Sequence, residues 1–170
     1  MSKLKFVAAL SFCVFLTPAF AQSFAPPKGE GGGCVDYGCR EISENGKYGY
    51  VGRGDAKDWL IPPRFDYIAN GFANDMIKVR ENGKWGYFNI KGEMVVPPRF
   101  ESAMQFTGNG LALVKENGKW GYINTKGDWA ISPRFENADD FGGNLARVVE
   151  DGREGYINAK GEKVKGEKVK

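Results

Sequence analysis

Glu116-Asn-Gly-Lys-Trp-Gly-Tyr122 decides the fold because it recurs: the identical heptapeptide runs from Glu81 to Tyr87, and Glu-Asn-Gly-Lys-Tyr-Gly-Tyr from Glu44 to Tyr50. A more divergent copy, Glu-Asp-Gly-Arg-Glu-Gly-Tyr, occupies Glu150 to Tyr156, so successive copies begin 37, 35 and 34 residues apart. Self-similarity at such intervals marks an array of small units, each too small to bury its apolar face alone.

Every copy carries a hairpin signal, since Asn-Gly or Asp-Gly between apolar runs favours a two-residue turn. In the third copy this gives a strand over Leu111 to Glu116, a turn at Asn117-Gly118 and a return strand over Lys119 to Asn124. Thr125-Lys-Gly127 makes a second turn, with glycine where positive φ is wanted, and a third strand follows over Asp128 to Ser132. Pro133 is expected to end it, because proline has no N–H to give to a ladder. The second copy repeats the pattern through Met76 to Glu81, Lys84 to Asn89 and Glu93 to Val96. Between units lie Pro-Arg-Phe and apolar residues about three apart: Phe65, Ile68, Phe72; Phe100, Ala103, Phe106; Phe135, Ala138, Phe141. That spacing reads as short 3₁₀-like turns. No segment has the length and period of a long helix, so the expected class is all-β: a tandem array of three-stranded antiparallel meanders.

A two-residue turn fixes register, and register fixes faces. Counting out from Asn117-Gly118 sets Glu116 opposite Lys119, Lys115 opposite Trp120, Val114 opposite Gly121, Leu113 opposite Tyr122 and Ala112 opposite Ile123. The glycine shared by the four copies (Gly49, Gly86, Gly121, Gly155) always opposes Ile or Val. Its missing side chain implies close approach by a neighbouring element, with the phenylalanine of the intervening turn as the candidate. The other face collects Tyr48, Trp85 and Trp120 in one row and Tyr50, Tyr87, Tyr122 and Tyr156 in the next, interleaved with Lys78, Arg80, Lys115 and Arg147. Two readings compete. Trp85, Tyr87, Trp120 and Tyr122 with Arg80 and Lys115 form a ligand platform using ring faces and cation–π contacts, or each ring packs on the next unit under basic stems. Seven wet rings would forgo too much burial for a small domain, which favours packing, with one or two edge rings left for a ligand.

The 170 residues, 42% hydrophobic and 14% aromatic, suffice for one domain with a real core. Residues 1–21 read as a signal peptide: Lys3 and Lys5, an apolar run from Phe6 to Leu16, and Ala19-Phe-Ala21 before the cut. Its removal leaves 22 basic residues against 21 acidic, which argues against nucleic acid as a partner, and the run is too short to span a bilayer. Residues 22–39 are a Gly/Pro-rich linker ending in Cys34 and Cys39, the even pair left after Cys13 departs, read as a disulfide in an oxidising compartment. With no histidine and no further cysteine, neither a metal nor a cofactor is expected. The repeat domain runs over 40–165, followed by a basic tail over 166–170.

These residues resemble the bacterial WG-repeat (KWG) family, whose pattern is Gly-Lys-Trp-Gly-Tyr-Ile-Asn, a Lys-Gly turn, an apolar strand, Pro-Pro-x-Phe and a Gly-Leu-Ala-x-Val strand. Gly118 to Asn124 matches it fully, Gly83 to Asn89 differs at Phe88, and the resemblance covers about Glu44 to Lys163. Tyr48 and Glu154 replace the expected tryptophan, and the loop Gly52 to Lys57 is longer, as suits terminal units acting as caps. The resemblance implies a β-rich module used in exported and interaction roles and carries over no catalytic residues.

Nucleophile–base chemistry lacks its usual histidine. Glu136, Asp139 and Asp140 could in principle serve glycan hydrolysis, although adjacent acids in a loop are more often a solvated face. Arg64, Arg99 and Arg134 recur once per unit and are read as pairing with a glutamate of the neighbouring unit, rather than lining a groove for an acidic ligand. Arg53-Gly-Asp55 is a chance match to an adhesive tripeptide. The expectation is an exported, monomeric, non-catalytic module of the periplasm or cell exterior that binds a protein or plays a structural role. Carbohydrate or peptidoglycan binding through ladder rings is the alternative, and a hydrolase comes third.

Overall fold

The computed structural model describes residues 40–52 and 59–164. The signal segment, the linker with Cys34 and Cys39, Arg53-Gly-Asp55 and the tail over 166–170 lie outside them. Among the described residues every regular element is a strand. The first sheet holds β1 (Arg40–Glu44), β2 (Lys47–Val51) and β3 (Trp59–Phe65). The second holds β4 (Tyr67–Ile68), β5 (Met76–Glu81), β6 (Lys84–Asn89) and β7 (Met94–Phe100). The third holds β8 (Ser102–Ala103), β9 (Leu111–Glu116), β10 (Lys119–Asn124) and β11 (Trp129–Phe135). The fourth holds β12 (Asn137–Ala138), β13 (Leu145–Glu150), β14 (Arg153–Asn158) and β15 (Lys163–Val164). Each is an antiparallel meander with its strands in sequence order.

The hairpin registers are those the turns dictate, Val114 on Gly121 and Lys115 on Trp120 among them. Asn45, Asn82, Asn117 and Asp151 take φ of 50–52° and the following glycines 69–77°, positive at both centres as a type I′ turn requires. The second turn is organised by an asparagine side chain. Asn124 Oδ1 accepts from the Lys126 and Asp128 N–H groups, and Asn89 and Asn158 do the same in their units. Such an Asx turn explains why the return strands β6, β10 and β14 end on Asn.

Two expectations change. The prolines do not end the third strand, since β3, β7 and β11 run on through Pro-Arg-Phe. Their register slips as they pass the shared glycine: Trp120 pairs with Phe135 but Tyr122 with Ile131, so three residues bulge opposite Gly121. The bulge lies on the outermost strand of its sheet, where a missing N–H costs no ladder bond. The stretches read as 3₁₀-like turns are instead the two-residue strands β4, β8 and β12. Each follows the phenylalanine after a single residue, so the chain steps directly from one sheet into the next.

The bulge also identifies what approaches the glycine. A Cβ at Gly86 would lie 2.7 Å from the Pro98 nitrogen, and one at Gly121 2.7 Å from the Ile131 carbonyl oxygen. The neighbour is thus the proline-bearing backbone of the same sheet and not a phenylalanine ring. Nothing among the described residues lies within 4 Å of a Cβ at Gly155.

The sheets stack, and the core lies between them. Tyr50, Ile61 and Phe65 of the first sheet pack with Ile68, Ile77, Val79 and Phe88 of the second. Tyr87, Val96 and Phe100 pack with Ala103, Ala112, Val114 and Ile123 of the third. Tyr122, Ile131 and Phe135 pack with Ala138, Ala146, Val148 and Ile157 of the fourth. The aromatic face of one sheet therefore covers the Val/Ile face of the next, so the centre of each inner sheet is buried on both sides.

Candidate functional site

This stacking sorts the ladder residues. Tyr87 and Tyr122 are 0% and 1% exposed, so they are withdrawn from the expected ligand platform. Their hydroxyls donate across the gap to the Met104 and Asp139 carbonyls at 2.6 and 2.7 Å, as Tyr50 donates to Ala69 at 3.2 Å. Burial pushes both phenols far above their ordinary value, with the negative charge of Asp140 adding to the rise.

Trp85 and Trp120 stay half-buried at the lateral rim, with cations on their faces. Lys78 Nζ lies 4.5 Å and the Arg80 guanidinium 5.6 Å from the Trp85 centroid, and Lys115 Nζ 5.6 Å from that of Trp120. Lys78 also donates to the Ala103 carbonyl at 2.9 Å. Partial burial lowers its pKa, against the pull of Asp140. The second sheet adds a ring that the sequence reading passed over. Tyr67 on β4 pairs with Arg80 on β5, which pairs with Trp85 on β6. Tyr67 meets Trp85 edge to face with centroids 5.4 Å apart and remains 44% exposed. Only the two-residue strand β4 could have revealed it, and the 3₁₀-like reading hid that alternation. Exposed Tyr67 and Arg80 and half-buried Trp85 thus form a row across the sheet. The third sheet repeats it with Ser102, Lys115 and Trp120, where serine supplies no ring.

The repeated arginines lie at sheet boundaries. Arg64 reaches Glu81 at 3.5 Å, Arg99 reaches Glu116 at 3.5 Å and Arg134 reaches Glu150 at 3.0 Å, each glutamate belonging to the next sheet. Each guanidinium also lies 4.8–4.9 Å from the ring of the phenylalanine that follows it. The candidate catalytic acids are engaged as well. Glu136 accepts from the Gly152 N–H at 3.1 Å and Asp139 holds Arg147 at 2.9 Å, while Arg147 reaches Glu154 at 3.2 Å. Asp140 stands at the surface, its carboxyl raised above the usual range by partial loss of hydration, opposed by Lys78 and reinforced by Asp139. These side chains organise a turn and an end face.

The described residues contain no group of three or more His, Cys, Asp or Glu placed to hold a metal ion, and no helix long and apolar enough to cross a membrane. Two shallow, overlapping depressions of about 250 and 290 Å³ share Asn109, Gly143 and Asn144 at the loop edge of the last two sheets.

The family model described as WG containing repeat matches residues 55–85, 85–120 and 120–153, more than half of the chain. Its windows meet at Trp85 and Trp120, so the inner one holds the second half of one sheet and the first half of the next. The repeating unit in sequence is thus an interface between sheets. Comparison with curated proteins gives no match.

Proposed function

The chain belongs to the family of WG-containing repeats, and on that premise we propose that it is an exported, non-catalytic module that binds a protein partner in the cell envelope. The observation carrying this reading is the row of exposed Tyr67 and Arg80 with half-buried Trp85, set on the β4–β5–β6 sheet. Tyrosine, tryptophan and arginine are the residue types that dominate interface hot spots, because they bury large areas at small entropic cost and offer a polar tip. The carbohydrate reading draws less support, since a sugar needs an open ring face and those of Trp85 and Trp120 carry Lys78, Arg80 and Lys115. Export rests on the leader over residues 1–21, cut after Ala21, and puts the mature chain in the periplasm or outside the cell.

The test is capture from native envelope extract by the mature chain and by Tyr67→Ala/Arg80→Ala, a double variant that leaves the inter-sheet cores intact. A specific protein retained by the first and lost with the second supports the proposal. Quenching of Trp85 and Trp120 fluorescence by envelope glycans, with capture unchanged in the variant, would transfer support to carbohydrate binding.

A further inference from the structure

Three of the hairpin turns are met from outside by an acid of the step that leads into their own sheet. The Gly118 N–H donates to both oxygens of Glu101, at 3.3 and 3.2 Å, and the Gly152 N–H donates to Glu136 Oε2 at 3.1 Å. Asp66 stands in the same relation to Asn82-Gly83: hydrogen bonds from Lys47 and then from the Asn82 and Gly83 N–H groups hold its carboxyl below the usual range. Asp66, Glu101 and Glu136 each directly follow the phenylalanine of Pro-Arg-Phe. Two of them are also held by the lysine after the turn of the sheet before, Asp66 by Lys47 and Glu136 by Lys119 at 3.8 Å. The acid is thus positioned from one sheet to meet the turn of the next.

An Asn-Gly turn is chemically labile backbone. The glycine nitrogen can attack the side-chain amide carbon of the asparagine, because glycine has no Cβ to obstruct the approach. The new N–Cγ bond closes a five-membered succinimide, and the side-chain nitrogen leaves as ammonia with the proton that the glycine nitrogen gives up. Water then opens the ring to aspartate or, at the other carbonyl, to isoaspartate. Asn82, Gly83, Asn117 and Gly118 are all exposed, and the attacking species is the glycine nitrogen without its proton. A carboxylate that accepts this N–H opposes the loss of the proton, since a second negative charge would form beside the first. We propose that Asn82 and Asn117 are sites of spontaneous deamidation, and that Asp66 and Glu101 restrain the reaction by engaging the Gly83 and Gly118 N–H groups. The two products differ in consequence. Asp151 takes the same turn conformation, with φ of 52° against 51° at Asn117, so aspartate fits. Isoaspartate adds a methylene to the main chain, which a two-residue turn cannot absorb without disturbing the register of Leu111 to Asn124. The acid after each Pro-Arg-Phe therefore protects the register of the hairpin that follows, independently of any partner.

Ageing the intact protein in mildly alkaline buffer, with peptide mass spectrometry separating aspartate from isoaspartate at each turn, tests this. Glu101→Ala should speed deamidation at Asn117 about three-fold or more, the low end expected of a solvent-exposed hydrogen bond, and leave Asn82 at the parent rate. Asp66→Ala should speed Asn82 and leave Asn117 unchanged. Each variant thereby carries its own control, because general loosening of the fold would speed both sites together, and that result would overturn the proposal. An unchanged rate at the turn that has lost its acid would overturn it too, since the hairpin alone would then protect the asparagine. So would a slower rate there, because the carboxylate would then be a base that draws the proton off the glycine nitrogen.

Discussion

The Tyr87 hydroxyl donates a 2.6 Å hydrogen bond to the Met104 carbonyl, so a side chain of the second sheet holds the loop of the third. The ring beneath is fully buried and meets Phe106 edge to face, 5.0 Å between centroids. Tyr87→Phe keeps the ring and orphans the carbonyl, which should cost about 1 kcal/mol. Tyr87→Ala removes the packing as well and should cost about 3–5 kcal/mol. Denaturant unfolding of the two variants measures the difference. Equal losses would mean that the ring contributes little to the inter-sheet core.

Alkaline stability follows from the same tyrosines. Burial raises the folded pKa of Tyr87 and Tyr122 above that of the unfolded chain, near 10. A raised folded pKa contributes stability that is complete below the unfolded value and is lost as pH climbs above it, because only the unfolded chain then releases the proton. The protein should therefore lose stability steeply above about pH 10. Tyrosinate absorbance from these two residues should appear together with unfolding and not before it. Tyr87→Phe/Tyr122→Phe should flatten the alkaline limb while lowering stability at neutral pH.

Much of this architecture is legible in the sequence because turn chemistry is local. Asn117-Gly118 fixes its own φ values, and hence the register of Leu111 to Asn124, with no information from elsewhere. The fate of Pro133 is different. Whether proline ends a strand depends on whether its missing N–H faces a neighbour, and that is settled by which strand lies at the sheet edge. The ring rows show the same division: alternation puts Trp85 and Tyr87 on one face, but only stacking decides that Tyr87 is sealed and Trp85 left at the rim. Tyr67 was missed because a two-residue strand is too short to display a period.

The bulge at the shared glycine predicts a sharp contrast between glycines. A side chain at Gly86 collides with the Pro97-Pro98 backbone, which has no rotamer by which to yield. Gly86→Ala should cost at least about 1–3 kcal/mol by overpacking. Gly108 lies in an exposed loop, and a Cβ there would meet nothing within 4 Å. Gly108→Ala should shift stability by no more than about 0.5 kcal/mol. Thermal melts of the pair decide the matter. A Gly86→Ala protein as stable as the parent would mean that the bulge adapts freely.

Arg99 bridges two sheets, yet its contribution should be small. The guanidinium is about half exposed, its contact with Glu116 is a long 3.5 Å, and solvent screens both. A double-mutant cycle of Arg99→Ala and Glu116→Ala should therefore return a coupling below about 1 kcal/mol that fades in high salt. The guanidinium also lies over the Phe100 ring at 4.8 Å, and this planar contact is less sensitive to salt. Arg99→Lys keeps the charge but loses the stacking plane, so at high salt it should remain less stable than the parent even after the ion pair has been screened away. If salt instead erases the whole difference between arginine and lysine, the residue recurs for its charge alone, and the ring beneath it is incidental.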